Sequence, residues 1–458
     1  MSGISMDSRT TEPGDIFFAL PGKIHDGSAF IGEACRRGAA AVICREAPLQ
    51  IPSGIPYGIA DNPRLLFSRC CDRFYGHPSS SLRVIGVTGT NGKSSVCSYL
   101  YTLMNSLGVK TGIISGYWTG IPGDLGVNTA GLSTPEAAML HRELASMRDQ
   151  GCGAAVVEVT SHALASFRVE DVSFETAVFT ALGRDHLDYH RTMEEYLETK
   201  LHLLDLLRPD GKAAYSSSNE HADLLAKRAP GAKVYGRDVQ ALHEHDRTWA
   251  LSGEGTQVRC TVDFREPFQR ENLFLAVTAA WDLVSLHDAL ELTGMERLPG
   301  RSEVVDTRLG WEAVIDYAHN PQGFQAVLSS YPPPAGRQAA LFGAAGGRDR
   351  GKRAFMGRAA DNACDIIILT EEDPCDEDPD NICADLLAGI TGKVLGETLF
   401  IIPDRMEALR FAVSLMQRGD RLFLLGKGHE TAVSLKGGAK KPWNERGKLM
   451  EILATAAQ

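Results

Sequence analysis

Apolar and polar positions along this chain fall in blocks. Short strand-like runs, Asp15-Ile16-Phe17-Phe18-Ala19-Leu20 and Ala39-Ala40-Ala41-Val42-Ile43, alternate with helical stretches and end in the polar string Gly76-His77-Pro78-Ser79-Ser80-Ser81, which reads as a linker. From Leu82 the pattern becomes regular. Buried-type strands at 83–87, 154–159 and 176–180 are each followed by a loop and a helical segment, the alternation of a parallel sheet covered by helices. After Leu298-Pro299-Gly300 a second series begins, with strands at 313–316, 339–343, 365–370, 399–402 and 421–425. The expectation is an α/β protein of three domains, 1–80, 81–298 and 299–458, which suits 458 residues at about 150 per domain. No internal repeat is visible, and Pro332-Pro333-Pro334 reads as a rigid loop.

Composition narrows the function classes. With 43% hydrophobic and 23% charged residues the chain is an ordinary globular one. Its net charge of −11, with no long basic block, argues against a grip on nucleic acid or an anionic membrane and leaves local sites for small anions. No apolar run approaches the ~18 residues of a membrane span, and Met1-Ser2-Gly3-Ile4-Ser5 lacks the features of a signal peptide, so a cytoplasmic protein is expected. Ten cysteines without a C-x-x-C pair predict reduced thiols.

The sharpest motif follows the strand Val84-Ile85-Gly86-Val87. It reads Thr88-Gly89-Thr90-Asn91-Gly92-Lys93-Ser94-Ser95, and then Val96, Tyr99, Leu100, Leu103, Met104 and Leu107 fall on one helical face, with Gly108 as the stop. A strand, a glycine turn and a helix N-terminus make a nest of N–H groups where phosphate binds. Lys93 is placed to reach the β- and γ-phosphates and the Ser94 hydroxyl to ligate magnesium. A tight turn with an exposed lysine is the bland alternative.

Two further features sit beyond neighbouring strands. Glu158 interrupts the apolar run Ala155-Val156-Val157-Glu158-Val159, where a charge needs a partner, and Arg184-Asp185-His186-Leu187-Asp188-Tyr189-His190 forms a polar cluster at a strand end. His186 reads equally as a structural histidine or a metal ligand. Thr192 and Glu195 form a capping box, and the helix they open places Met193, Tyr196, Leu197, Lys200 and Leu204 on one face. Lys200 is either snorkelling from an apolar stripe or desolvated, with a lowered pKa that would let it take up carbon dioxide as a carbamate near magnesium. In the last third, four polar loops follow strands: Asp316–Pro321, 343–353, 371–375 and 426–430. Four on one sheet edge suggest a binding face.

Taken together, Asp7-Ser8-Arg9 with Gly14-Asp15, the G-T-N-G-K-S loop, Ser133-Thr134-Pro135-Glu136, Glu158-Val159-Thr160-Ser161-His162, Arg184–His190, Asp316-Tyr317-Ala318-His319 and Gly426-Lys427-Gly428-His429-Glu430 resemble the Mur ligases over almost the whole chain. The branch most similar adds the third, diamino residue of the peptidoglycan stem. The resemblance implies a small N-terminal α/β domain for the uridine nucleotide, a central P-loop ATPase with a parallel sheet, and a C-terminal Rossmann-like α/β domain. It implies ATP and Mg2+ as cofactors, a carbamate on Lys200, UDP-N-acetylmuramoyl-L-alanyl-D-glutamate as substrate, and a monomer. Carried over by motif, Gly89, Thr90, Asn91, Gly92, Lys93, Ser94, Ser95, Asn272, Arg301 and Asp316 would bind ATP. Ser8, Ser133, Thr134, Ser161 and Arg168 would hold the muramoyl dipeptide, and Glu372, Asp373, Cys375, Gly426 and Glu430 the amino acid. Lys93, Glu158, His186 and Lys200 would be catalytic, with Ser94, Glu158, His186 and Lys200 around the metal.

Two strings depart from the family pattern: Phe179-Thr180-Ala181, where an asparagine is common third, and Trp443-Asn444-Glu445-Arg446, where Asp-Asp-Arg-Glu is expected. A folylpolyglutamate synthetase-like ligase is the nearest rival and a non-catalytic nucleotide-binding protein the other. The first eighty residues count against the former, and retention of Glu158 and Lys200 against the latter. Lysine or ornithine is expected over meso-diaminopimelate. An arginine expected after this strand is Cys375 here, and Glu371, Glu372, Asp373, Asp376, Glu377 and Asp378 make the loop acidic. Arg446 is an alternative source of that arginine. Asp61-Asn62-Pro63-Arg64, which carries the same motif letters in the N-terminal domain, reads as a turn.

Overall fold

The computed structural model describes residues 2–22, 26–48, 54–129, 131–284 and 290–456. Four strands, Gly3–Ser5, Asp15–Phe18, Ala41–Cys44 and Tyr57–Ile59, pair in parallel in chain order. Alternation sends Phe17 to one face, against Ile31, Ala34 and Val42, and Phe18 to the other, against Phe67 and Cys71. The Asp61–Arg64 string is a helix start and not a turn. Asn62 accepts the Leu65 N–H as N-cap of the helix Pro63–Phe74, Pro63 occupies its first turn, and Arg64 donates to the Pro21 carbonyl. The expected linker is equally fixed. It forms a short 3-10 turn, Pro78–Ser81, with Pro78 and Ser79 buried and the Ser79 carbonyl accepting from Arg208.

The central sheet has eight strands in the order Lys233–Tyr235, Leu207–Ser216, Phe174–Phe179, Arg83–Thr88, Ala154–Glu158, Thr111–Ile114, Trp118–Ile121 and Asp124–Val127. The first six are parallel, and the last two fold back as an antiparallel hairpin. Arg83–Thr88 lies between Ala154–Glu158 and Phe174–Phe179, so the turns after these three strands open at one edge. Helix Lys93–Ser106 buries Val96, Tyr99, Leu100, Leu103 and Met104 as its periodicity predicts, largely against helix Pro267–Ala280. A four-stranded sheet, Gln240–His245, Thr248–Gly253, Thr256–Thr261 and Leu290–Leu292, covers this side. Neither that sheet nor the hairpin is legible in the sequence, because their alternation is short and one face stays wet.

The last sheet runs Glu303–Asp306, Glu312–Asp316, Arg421–Leu425, Gln338–Phe342, Ile366–Leu369 and Leu399–Ile401, parallel except for its first strand. Its strands are apolar on both faces, and the helices that cover them bury two clusters, one around Phe324, Phe342 and Met356 and one around Leu409, Leu424 and Leu449. All ten cysteines are free. No helix among the described residues is long and apolar enough to cross a membrane.

Candidate active site

The C-terminal strand ends of the two large sheets face each other across a cleft. Two cavities meet there, one of about 270 Å³ and one of about 460 Å³, sharing Asn91, Gly92 and Arg301. The phosphate loop is the wall between them. Its geometry needs glycine twice. Gly92 has φ +89, and a Cβ there would lie 2.4 Å from Asn272 Oδ1; Gly89 has φ +148, and a Cβ would meet Thr180 Oγ1. The loop is pinned from the neighbouring strand, where the Ala181 carbonyl accepts the Thr90 N–H at 2.7 Å and the Asn91 N–H at 3.3 Å. That contact is made by backbone, so alanine suffices at the departing position.

Two lysines meet beneath this loop. Lys93 Nζ donates to the Thr90 carbonyl at 2.9 Å and Lys200 Nζ to the Gly89 carbonyl at 2.7 Å. Neither forms an ion pair among the described residues. Burial pushes both amines down, and for Lys200 the Lys93 charge pushes further, well below the ordinary lysine value. Lys200 is 1% exposed, so it does not snorkel; its helix is packed against the sheet and its head ends at the loop. Glu158 is buried, and its Oε2 accepts from Ser94 Oγ and the Gly116 N–H, both at 2.8 Å. Burial brings His186 down to about 2, leaving a neutral imidazole at the cleft. Among the described residues no group of three or more His, Cys, Asp or Glu side chains is arranged to hold a metal ion by itself. The Ser94 hydroxyl and Glu158 carboxylate are hard oxygen donors and fit Mg2+, which takes few protein ligands and completes its shell with phosphate and water.

The expected nucleotide residues divide between the cavities. Ser95, Asn272, Arg301 and Asp316 line the smaller one, with Phe268 and Gln322 beside them, and Lys93, Ser94 and Thr90 line the larger. Asp316 accepts the N–H groups of Ser302 and Ala318, both at 2.6 Å; burial raises its carboxyl. Ser133, Thr134 and Arg168 line the larger cavity, where Arg168 pairs with Glu136 at 2.8 Å and donates to the Thr134 carbonyl. Ser161 and Ser8 line neither. Ser161 Oγ is buried without a hydrogen-bond partner, and Ser8 donates to Glu33 on the short N-terminal helix Ile31–Arg36.

Of the amino-acid set, Asp373 and Glu430 reach the larger cavity, and Lys427 lies between them at 3.0 and 2.5 Å. Glu372, Cys375 and Gly426 do not line it. Glu372 is buried behind Gly426, whose missing Cβ leaves it room, and burial raises its carboxyl. The acidic loop is not an open field of charge. Glu371 pairs with Lys441, Asp376 accepts the Gly437 N–H, Glu377 is held down to about 2, chiefly by Arg353, and Asp378 caps the helix Pro379–Leu387. Arg446 is occupied by Glu303 at 2.7 Å. Sequence reasoning missed Arg348, exposed at the larger cavity with no ion-pair partner among the described residues. It also missed His429, whose ring lies 4.9 Å from both Tyr117 and Tyr317. Both stood inside polar strings already singled out, where spacing could not tell which side chain faces inward.

Family models match three stretches: residues 1–64 the catalytic domain of the Mur ligase family, 87–280 the Mur ligase middle domain, and 300–428 the Mur ligase glutamate ligase domain. The chain belongs to the Mur ligase family. It is 34% identical over 466 residues to the UDP-N-acetylmuramoyl-L-alanyl-D-glutamate--2,6-diaminopimelate ligase of Parabacteroides distasonis, covering 99% of this chain and 95% of that one. The ligase of the same name from Aquifex aeolicus is 34% identical over 462 residues, covering 99% and 94%. A solved structure of a ligase so named superposes with a TM-score of 0.63 at 28% identity, covering 100% of this chain and 96% of that one. This Mur ligase is an ATP-dependent amide ligase, as the resemblance implied, with the α/β architecture that its strand pattern predicts.

Proposed function

We propose that this Mur ligase joins the third residue, a diamino acid, to UDP-N-acetylmuramoyl-L-alanyl-D-glutamate in peptidoglycan precursor synthesis, acting as a monomer in the cytoplasm. The observation that carries this reading is the pair of lysines, Lys200 buried and Lys93 half-buried, without an ion-pair partner among the described residues, at a phosphate loop whose cleft continues to Asp373 and Glu430 on the facing sheet. The division 1–80, 81–298 and 299–458 assigns one sheet to the uridine nucleotide, one to ATP and one to the amino acid.

In this reading the γ-phosphoryl group of ATP passes to the D-glutamyl side-chain carboxylate, ADP leaves, and the amine of the third residue attacks the acyl phosphate and expels phosphate. Little covalent work falls to the protein, so positioning and charge carry the catalysis. Lys93 neutralises phosphate oxygens while Asn272, Arg301 and Asp316 hold the adenosine side. Ser133, Thr134 and Arg168 orient the dipeptide, and Ser8 lies toward the uridine diphosphate. Ser94, Glu158 and His186 would hold Mg2+, which supplies charge neutralisation at the β- and γ-oxygens. Lys200, with its depressed pKa, would carry the carbamate that turns a cation into an anion at that position.

For the diamino acid two observations favour different choices. Asp373 and Glu430 suit a side-chain ammonium, which supports lysine or ornithine. Arg348 suits a distal carboxylate, and the relatives named above are diaminopimelate ligases, which supports meso-diaminopimelate. The second is the stronger, because Glu371, Asp376, Glu377 and Asp378 are already engaged and Glu372 is buried away from the cavity. ADP and amide formation, measured with the muramoyl dipeptide and a panel of amino acids, tests both levels. ADP release without the dipeptide would overturn the ligase reading, and a rate with lysine or ornithine about tenfold above that with meso-diaminopimelate would return the choice to them.

A further inference from the structure

Asp185 ends the turn after strand Phe174–Phe179 and is 2% exposed. Its own unit offers it the adjacent residue, whose N–H donates to Oδ1 at 2.9 Å and whose imidazole Nε2 lies 3.9 Å from Oδ2. The rest of its shell crosses the cleft. Lys352 Nζ lies 3.1 Å from Oδ1, His319 Nε2 is 3.5 Å from Oδ2, and Asn320 Nδ2 donates to Oδ2 at 3.3 Å. Lys352 is buried and forms no other ion pair among the described residues.

Asn320 uses every group it has. Its Oδ1 caps helix Pro321–Ser329 by accepting the Gly323 N–H at 2.8 Å, and its amide also donates to Asn91 Oδ1 at 3.0 Å. Asn91 returns a bond to Asn320 Oδ1 at 3.2 Å and another to Gln322 at 3.4 Å. The phosphate loop is therefore hydrogen-bonded directly to the facing sheet's first helix. His186, next to Asp185, has φ 56 and ψ 28, a left-handed conformation that is strained for a non-glycine residue and persists only where its surroundings impose it.

We propose that Lys352 is a positioning residue: seated against Asp185, it makes the strained backbone at His186 and the seat of Asn91 depend on the facing sheet being docked in one register. Desolvating both charges offsets most of their attraction, so the pair contributes little as glue. It discriminates strongly, because docking in any other register leaves a buried charge unmatched. ATP held at the phosphate loop is then turned over only when the amino-acid-bearing sheet is in place. The inference rests on the ligase reading above for its kinetic readout, and on scattering for a readout that does not.

The test compares wild type with Lys352→Met, Asp185→Asn and the double variant, with Lys352→Gln as a substitute if the methionine variant fails to fold. For Lys352→Met we expect kcat for amide formation to fall about tenfold or more, with the KM for the amino acid raised and the Kd for ATP alone unchanged. ADP released without amide should rise as a share of turnover. The double variant should be no worse than the poorer single one, as expected for a coupled pair. Small-angle scattering with an ATP analogue and the muramoyl dipeptide should show Lys352→Met more expanded than wild type. Wild-type turnover in Lys352→Met, losses that multiply in the double variant, or identical scattering of the two proteins would each overturn the proposal. Failure of wild type itself to ligate, with the scattering difference intact, would overturn the ligase reading and leave the positioning role standing.

Discussion

The two large sheets present the same architecture to the cleft and treat buried cations in opposite ways. In the C-terminal unit every buried cation among the described residues has its counterion. Arg405 meets Glu445 through two hydrogen bonds of 3.0 and 3.1 Å, Arg353 meets Glu377 and Asp385, and Lys427 meets Asp373 and Glu430. In the central unit half-buried Lys93 and buried Lys200 have no ion-pair partner among the described residues: each donates to a carbonyl oxygen of the phosphate loop, and Lys200 also lies over the Tyr196 ring at 4.6 Å. A paired cation is scaffold, because its charge is spent on holding strand ends together; Arg405 also donates to the Glu371 and Leu425 carbonyls, just before Glu372 and Gly426. An unpaired one is kept at a cost in desolvation that only an incoming anion recovers. On the function proposed above, the difference separates the part of the cleft that would bind phosphate from the part that holds shape.

Removing members of each class should break the comparison in different observables. Lys93→Ala should lower kcat for ligation by roughly 10²- to 10³-fold while the melting temperature stays put or rises, since a desolvated charge is lost. Wild-type turnover at an unchanged melting temperature would overturn the assignment. Lys200→Ala should be similarly inactive and partly rescued by a short carboxylic acid; full activity in Lys200→Arg would exclude the carbamate, which a guanidinium cannot form. Glu445→Ala is the converse. It strands Arg405 and the Trp443 indole N–H, which donates to the same carboxylate at 2.6 Å, and should lower stability by about 3 kcal/mol or more in denaturant melts.

A buried base away from both sheets' strand ends sharpens the contrast. His141 is 0% exposed between helices Pro63–Phe74 and Ala137–Asp149, with no hydrogen bond to either ring nitrogen and Asp72 at 3.6 Å. Burial holds it down to about 4, against the opposing pull of Asp72 and with a smaller push from His77. The folded state therefore binds its proton more weakly than the unfolded state, so stability is lost as pH falls from 6.5 towards 4. The loss should be on the order of 2 kcal/mol, and His141→Leu should flatten it without changing ligation at neutral pH. The smallest expected effect lies at the cleft's rim: Arg348→Ala should lower kcat/KM for meso-diaminopimelate about tenfold and leave lysine unaffected. Equal losses for both substrates would return Arg348 to a general electrostatic role.

Much of this protein is local in its sequence. The strands of both parallel sheets, the phosphate loop with its helix, the Thr192 cap and the polar strand ends are set by runs of a few residues, because burial on both faces, tight turns and caps are short-range demands. The acidic loop and Asp61–Arg64 show the limit. Charge counted along the chain marks the loop as acidic but not which carboxylates stay open: Glu371, Asp373, Asp376 and Glu377 meet lysines, an arginine and a backbone N–H brought in from distant segments. A motif string that looked like a turn opens a helix because Phe67 and Cys71 have a sheet to pack on. Which lysines would be left without a carboxylate, which arginine would face the cleft, and that Asp185 would find its counterion some 167 residues away in Lys352 were decided only by the tertiary structure. Pairing of charges depends on distance in space, and sequence spacing constrains that distance only within a single strand, helix or turn.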